Sequence, residues 1–316
     1  MQIITLEQIK LILPSLDLFP EIEKGFKAYS EGKVVVPPIG EMILEKGEVH
    51  IKYGFVRGGK YYVIKIASGF YCNPEYGLSS SNGLMLLFSQ QTGELECILL
   101  DEGHLTNIRT AVAGAIVAKH LAPDPVHRIG IVGAGIQGRL QLHYLKDVVA
   151  CREVMVWGTS TKELDLYRID MEREGFRIET TGDASLLQRQ CNLIVTATPS
   201  KRPLLSDVYL EEGTHITAVG SDTADKQELD PEILQHADLV VADSIVQCME
   251  RGEIFKAMEA GKMVKNKVVE LGNIISGIST GRANKEQITV ADLTGVAVQD
   301  IGIATAVYSA FRGHAG

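Results

Sequence analysis

The stretch that most constrains this chain is 128–142, Arg-Ile-Gly-Ile-Val-Gly-Ala-Gly-Ile-Gln-Gly-Arg-Leu-Gln-Leu. A short β-branched run feeds Gly133-x-Gly135-x-x-Gly138, and a helix-compatible segment with Leu140, Leu142, Tyr144 and Leu145 follows at once. Glycines in this pattern are a weak signal alone, but between a strand and a helix they predict a dinucleotide site. Gly133 lets the chain turn tightly, Gly135 lets backbone N–H groups approach a pyrophosphate, and Gly138 lets helix and strand pack closely. With Ala134, Ile136 and Gln137 they form the expected cofactor loop, and the helix N-terminus adds partial positive charge. The competing reading is a glycine-rich turn that binds nothing.

Which dinucleotide is read one strand later. A NAD site places a carboxylate about 20 residues on, at the end of the second strand, to bond the ribose 2′-OH. Here Glu153-Val154-Met155-Val156-Trp157 runs into Gly158-Thr159-Ser160-Thr161-Lys162. A neutral, hydroxyl-rich turn followed by a lysine suits a 2′-phosphate. Trp157, Gly158, Thr159 and Ser160 are therefore expected cofactor contacts, with NADP(H) preferred and NAD(H) possible. Capping of the next helix by the same hydroxyls is compatible with both.

A chain of 316 residues with a hydrophobic fraction of 45% has the material for two domains of a globular enzyme. Its net charge of −9 disfavours nucleic acid or an anionic membrane as partner. The five cysteines lack CxxC spacing, and the eight histidines form no HxxxH or HExxH group, so no catalytic metal is expected. The opening residues lack a basic segment followed by a long apolar core, and a cytoplasmic protein is expected.

Residues 5–31 read as two short helices, with Thr5-Leu6-Glu7-Gln8 as a capping box. From Val34 the period becomes that of strands, over 34–36, 48–55, 61–67, 83–88 and 95–100, the last two a hairpin across Gln91-Thr92-Gly93. Residues 105–121 turn helical and alanine-rich, ending in a proline-bounded linker at 121–125. Beyond the glycine turn, strands at 191–196, 215–219 and 237–242 each follow a helix-compatible segment. That alternation predicts a parallel doubly wound sheet. The stretch 290–301 is expected to open a last helix reaching about Phe311.

Several motifs then occur in order over nearly the whole chain: Lys65 in Tyr62-Val63-Ile64-Lys65-Ile66, Asn73-Pro74 before Gly77-Leu78, Leu105-Thr106-x-x-Arg109-Thr110-Ala111, and the Gly133 turn. Thr196-x-Thr198-Pro199, Val219-Gly220-Ser221-Asp222 with Glu228-Leu229, and Gly295-x-x-x-x-Asp300 follow. Together they resemble the ornithine cyclodeaminase/μ-crystallin family. The resemblance implies an α/β fold: a Rossmann-type doubly wound parallel sheet over 123–296, carrying NAD(P), and a smaller α+β domain over 1–122 with 297–316 that binds substrate and forms a homodimer. In that family the substrate lies between the two.

Two departures bear on the reaction. Pro37-Pro38-Ile39-Gly40-Glu41-Met42 lacks the arginine with which ornithine cyclodeaminases grip the substrate carboxylate, and Trp157-Gly158-Thr159 lacks their acidic strand end. Pro38-x-Gly40-Glu41 and Val49-His50-Ile51-Lys52-Tyr53-Gly54 look instead like the Δ1-pyrroline-2-carboxylate reductase branch. The expected reaction is NADPH-dependent reduction of a cyclic imino acid, Δ1-pyrroline-2-carboxylate to L-proline, with Δ1-piperideine-2-carboxylate to L-pipecolate as a companion. Ornithine cyclodeamination, an alanine or opine-type dehydrogenase, and a non-catalytic NADPH-dependent binding protein are the alternatives.

A cyclic imino acid needs a carboxylate clamp and a proton for its nitrogen. Arg109 suits the clamp because its planar fork matches a carboxylate. Lys65, mid-strand among apolar neighbours, binds the carboxylate or protonates the imine, or else snorkels to water from an edge. Lys52 is a second carboxylate contact or an exposed strand lysine. Asp222 follows a strand end, where ligands bind in open α/β sheets. By resemblance it faces the substrate nitrogen, although a helix cap is the plainer reading. Also by resemblance, Ser80 lies near the substrate, and Thr196, Thr198, Val219, Gly220 and Gly295 line the nicotinamide pocket through backbone contacts. Asp300 is open to a structural role.

Overall fold

The computed structural model describes residues 1–314 of the chain. It divides into two compact units, Met1–Arg109 joined by the chain from Val296 onward, and Thr110–Gly295. The break falls inside the alanine-rich helix His104–Leu121 rather than at the proline linker that follows it.

The first unit is a mixed sheet with helices on it. Its strands are β1 (Gln2–Thr5), β2 (Val34–Val35), β3 (Gly40–Ile43), β4 (Glu48–Val56), β5 (Tyr61–Gly69), β6 (Ser81–Ser89) and β7 (Leu95–Leu100), in the order β1-β7-β6-β5-β4-β2, with β3 also paired to β4. Every pairing is antiparallel except β1 with β7. The capping box is present: the Thr5 N–H donates to Gln8 Oε1 at 2.9 Å and the Gln8 N–H to Thr5 Oγ1 at 3.5 Å. Two helices, Leu18–Ser30 and Ala297–His314, pack on each other, and the latter also packs on β4, β5 and β6. That docking carries Asp300, in the helix's first turn, to the sheet.

The second unit is an all-parallel sheet. Its strands are β8 (Ile129–Val132), β9 (Glu153–Trp157), β10 (Arg177–Thr181), β11 (Leu193–Thr196), β13 (His215–Ala218), β15 (Leu239–Ala242), β16 (Val268–Glu270) and β17 (Thr289–Asp292), in the order β10-β9-β8-β11-β13-β17-β15-β16. β12 (Lys201–Leu205) and β14 (Gln227–Leu229) form a separate pair. The central strands β8, β11, β13 and β17 are buried at every position, as strands covered on both faces must be.

One expectation needs correcting here. Residues 289–292 do not open the last helix; they are β17, inserted between β13 and β15. The helix begins at Ala297, after a turn in which Gly295 has φ 81°. Four residues, Thr-Val-Ala-Asp, are too few to show a helical or strand period of their own, and the neighbouring strands decide. No helix among the described residues is long and apolar enough to cross a membrane.

Candidate active site

In the first unit, strand pairing builds a buried basic cluster. Lys52 on β4 stands directly opposite Lys65 on β5, and Lys65 opposite Met85 on β6. Period-two alternation puts both lysines on the covered face, where they are only 6% and 2% exposed. Arg109 reaches the same place from the helix His104–Leu121, whose start is fixed by the buried Asp101, Oδ2 accepting the Leu105 N–H at 2.8 Å.

Asp300 ties the group together. Arg109 Nε donates to Asp300 Oδ1 at 2.9 Å and Nη1 to Gln299 Oε1 at 3.0 Å, while Lys65 Nζ lies 3.3 Å from Asp300 Oδ2. Lys65 and Arg109 thus meet one carboxylate in a buried place, with Lys52 on the neighbouring strand. Burial, then the Arg109 charge, pushes the Lys65 ammonium down from 10.5 to about 7, with Asp300 partly opposing and Lys52 adding to the fall. Buried charges are tolerated only when balanced, and Asp300 supplies that balance to Lys65 and Arg109.

Asp300, left open to a structural role in the sequence, is the hub of this seat. One step along the same face of β4, His50 lies 3.3 Å from a Glu41 oxygen and 3.6 Å from a Glu48 oxygen. The alternation that pairs His50 with Lys52 was the signal that could have found it. Ser80 sits half-buried in the bend before β6, its carbonyl accepting the Phe70 N–H at 2.7 Å.

In the second unit the glycine turn has the geometry of a phosphate cradle. Gly133 has φ 117°, and a Cβ there would meet the Ala197 carbonyl at 2.8 Å. A Cβ on Gly138 would come within 2.0 Å of the Gly133 carbonyl, so helix and strand could not pack as they do. Around Gly135, by contrast, a Cβ would meet nothing within 4 Å. That space lies at the start of the helix Ile136–Leu145, with Gly135 as its N-cap residue. The turn therefore fits a pyrophosphate.

At the end of β9, Trp157 Nε1 donates to the Gly182 carbonyl at 3.0 Å. Ser160 caps the helix Thr161–Arg173, accepting the Glu163 N–H at 3.3 Å, while Thr159, Ser160 and Lys162 stay exposed. No carboxylate stands on residues 157–162.

The loops after β11 and β13 are held from within. The Thr198 N–H and Oγ1 donate to Glu228 Oε1 at 2.6 and 2.7 Å, and Thr196 Oγ1 and the Gly220 N–H to Oε2 at 2.8 and 3.0 Å. The Val219 N–H goes to the Thr196 carbonyl at 3.0 Å, and the Gly295 N–H to Asp243 Oδ2 at 2.7 Å. The N–H groups of Thr198, Val219, Gly220 and Gly295 are therefore engaged within the protein.

Asp222, beyond β13, has its Oδ1 2.8 Å from Lys226 Nζ, and Arg251 Nη1 donates to its carbonyl at 3.3 Å. Lys226 is buried whereas the Asp222 side chain is 35% exposed, so the carboxylate faces outward from a charged base. The sequence did not single out Lys226; a cation four residues after a candidate acid was the available hint.

Comparison with known proteins follows the same lines. The pattern described as the ornithine cyclodeaminase/mu-crystallin family matches residues 2–315. A Sinorhizobium fredii protein named as an uncharacterized cyclodeaminase is 40% identical over 314 residues, 98% of this chain and 95% of its own. A Δ1-pyrroline-2-carboxylate reductase of Bacillus cereus is 29% identical over 289 residues, 90% of this chain and 88% of its own. Among solved structures, an archaeal alanine dehydrogenase dimer with bound NAD superposes with a TM-score of 0.91 at 32% identity, covering 99% of this chain and 97% of that one.

Proposed function

Because the chain belongs to the ornithine cyclodeaminase/mu-crystallin family, we propose that it is an NAD(P)H-dependent oxidoreductase that reduces the C=N bond of a small 2-imino acid, with Δ1-pyrroline-2-carboxylate to L-proline as the favoured reaction. The observation that carries this reading is the buried basic cluster: Lys65 and Arg109 on Asp300, with the buried Lys52 directly across the strand pair from Lys65. A substrate carboxylate would find basic side chains there.

In this reading Arg109 and the two lysines bind the substrate carboxylate and withdraw electron density from the adjacent C2. Gly133, Gly135 and Gly138 cradle the dinucleotide phosphates, and the neutral end of β9 admits a 2′-phosphate, which favours NADP(H). When bound, the nicotinamide supplies one hydride to C2. Lys65 holds a proton within the seat and Asp222, backed by Lys226, stabilises the positive charge of the protonated imine nitrogen. One hydride and one proton thus turn C=N into CH–NH. The substrate carboxylate is unchanged.

A second reading is supported by the archaeal relative at 32% identity: reduction of an acyclic imine formed from a 2-oxo acid and ammonia. The seat serves both, since both substrates are 2-imino acids. Assembly as a homodimer follows the same relative. One panel tests the reading: NADPH and NADH consumption with five- and six-membered cyclic ketimines, with pyruvate plus ammonia, and ammonia release from ornithine. Fast turnover of the five-membered ketimine with NADPH is expected. Ammonia from ornithine without net cofactor change would contradict it.

A further inference from the structure

We propose that Glu228 is a positioning residue: its carboxylate locks the loops after β11 and β13 into the surface against which the nicotinamide half of the dinucleotide lies. This rests on the reading that the second unit holds a nicotinamide dinucleotide. Glu228 sits on β14, fully buried, and is itself fixed because Glu253 accepts its N–H at 2.7 Å and that of Leu229 at 3.1 Å. From there its two oxygens accept four hydrogen bonds, from Thr196, Thr198 and Gly220.

The two loops are not free to rearrange singly. A Cβ on Gly220 would lie 2.2 Å from the Thr198 carbonyl and 2.6 Å from Glu228 Oε2, so loop, loop and carboxylate are in contact. The first loop also borders the glycine turn, since the Ala197 N–H donates to the Val132 carbonyl at 2.8 Å and Thr198 Cγ2 would lie 3.0 Å from a Cβ on Gly133. Ligands of open α/β sheets bind at these carboxyl ends.

The chemistry of the four bonds forbids a neutral substitute. Each oxygen of Glu228 faces a backbone N–H, Thr198 on one and Gly220 on the other, and neither N–H can turn its proton around. A glutamine, whichever way its amide is flipped, sets an NH2 against one of them. The buried mismatch pushes one loop out of place, while the phosphate cradle at Gly133–Gly138 is left as it was.

Calorimetric titration of the whole protein with NADPH and with 2′-phospho-ADP-ribose, which lacks the nicotinamide, separates the halves; NADH and ADP-ribose are run in parallel. Glu228→Gln is expected to weaken the full dinucleotide about tenfold and the fragment by less than about twofold. Thr196→Val, which removes one hydroxyl donor and leaves both backbone N–H groups bonded, should weaken the dinucleotide about threefold with the same selectivity. Equal losses for dinucleotide and fragment, or no loss for either variant, would overturn the proposal while leaving the cofactor reading intact. If Glu228→Gln does not fold, an unchanged dinucleotide affinity in Thr196→Val overturns it. Wild-type protein that binds neither ligand would overturn the dinucleotide reading and this proposal with it.

Discussion

Lys52 and Lys65 occupy opposed positions on adjacent antiparallel strands, and both ammonium groups are more than nine-tenths buried. Like charges directly across a sheet destabilise it. The pairing therefore sets two basic groups against each other, and in the proposed reading a bound carboxylate would ease that repulsion.

Removing one partner separates the two effects. Lys52→Met keeps the Lys65–Asp300–Arg109 contacts and deletes one buried charge, so the ligand-free protein should gain about 1 kcal/mol, seen as a rise in Tm. The same variant should bind a substrate carboxylate about tenfold more weakly. A fall in Tm with unchanged affinity would mean that Lys52 is structural.

The seat should also take up a proton on binding. Lys65 is lowered to about 7 by burial and by Arg109, so above that pH the free protein holds it increasingly neutral. A bound carboxylate favours the charged form and raises it again. Affinity for a carboxylate should therefore fall as pH rises through about 7 towards 9, and calorimetry near pH 8 in buffers of different ionisation enthalpy should show uptake approaching one proton. A flat profile with no uptake would contradict the assignment.

Asp222→Asn keeps the shape of the side chain and removes its charge beside Lys226. Turnover should fall about 100-fold with NADPH affinity nearly unchanged, measured by steady-state rates and by fluorescence titration of the cofactor. Equal losses in both would assign Asp222 to the framework.

Cofactor choice should yield to one carboxylate. Gly158 has no left-handed φ, and a Cβ there meets Leu164 Cδ2 at 3.2 Å and Cγ at 3.4 Å, a movable side chain, and Ala134 Cβ at an ordinary 3.5 Å. Gly158→Asp supplies the missing ribose partner and repels a 2′-phosphate, and the ratio of kcat/KM for NADPH over NADH should drop at least about tenfold. No change in that ratio would place the discriminating contact elsewhere.

Much of this was legible in the sequence where a local pattern decides the structure. The glycine turn, the Thr5 capping box and the β6–β7 hairpin each follow from residues a few positions apart. β1 was not, because four residues ahead of a helix acquire strand geometry only by pairing with β7. β10 also escaped, its Arg-Ile-Glu-Thr-Thr lacking an apolar run because it is an edge strand, half in solvent. In the seat, Lys65 and Arg109 stood out as charges among apolar residues. Asp300 was named in the closing motif, but its contact with them was not legible, because it is set by docking of a helix almost 200 residues away in the chain. Lys226 escaped, and Glu228 was noticed in a motif without a role, for the same reason: their meaning lies in partners that packing supplies.

The most direct measurement compares two planar analogues of the cyclic imine, pyrrole-2-carboxylate and its neutral amide pyrrole-2-carboxamide, for affinity to wild type and Lys65→Met in the presence of NADP⁺. The cation seat predicts that wild type prefers the carboxylate by at least about tenfold and that Lys65→Met loses most of the preference. Equal affinity of wild type for acid and amide would contradict it.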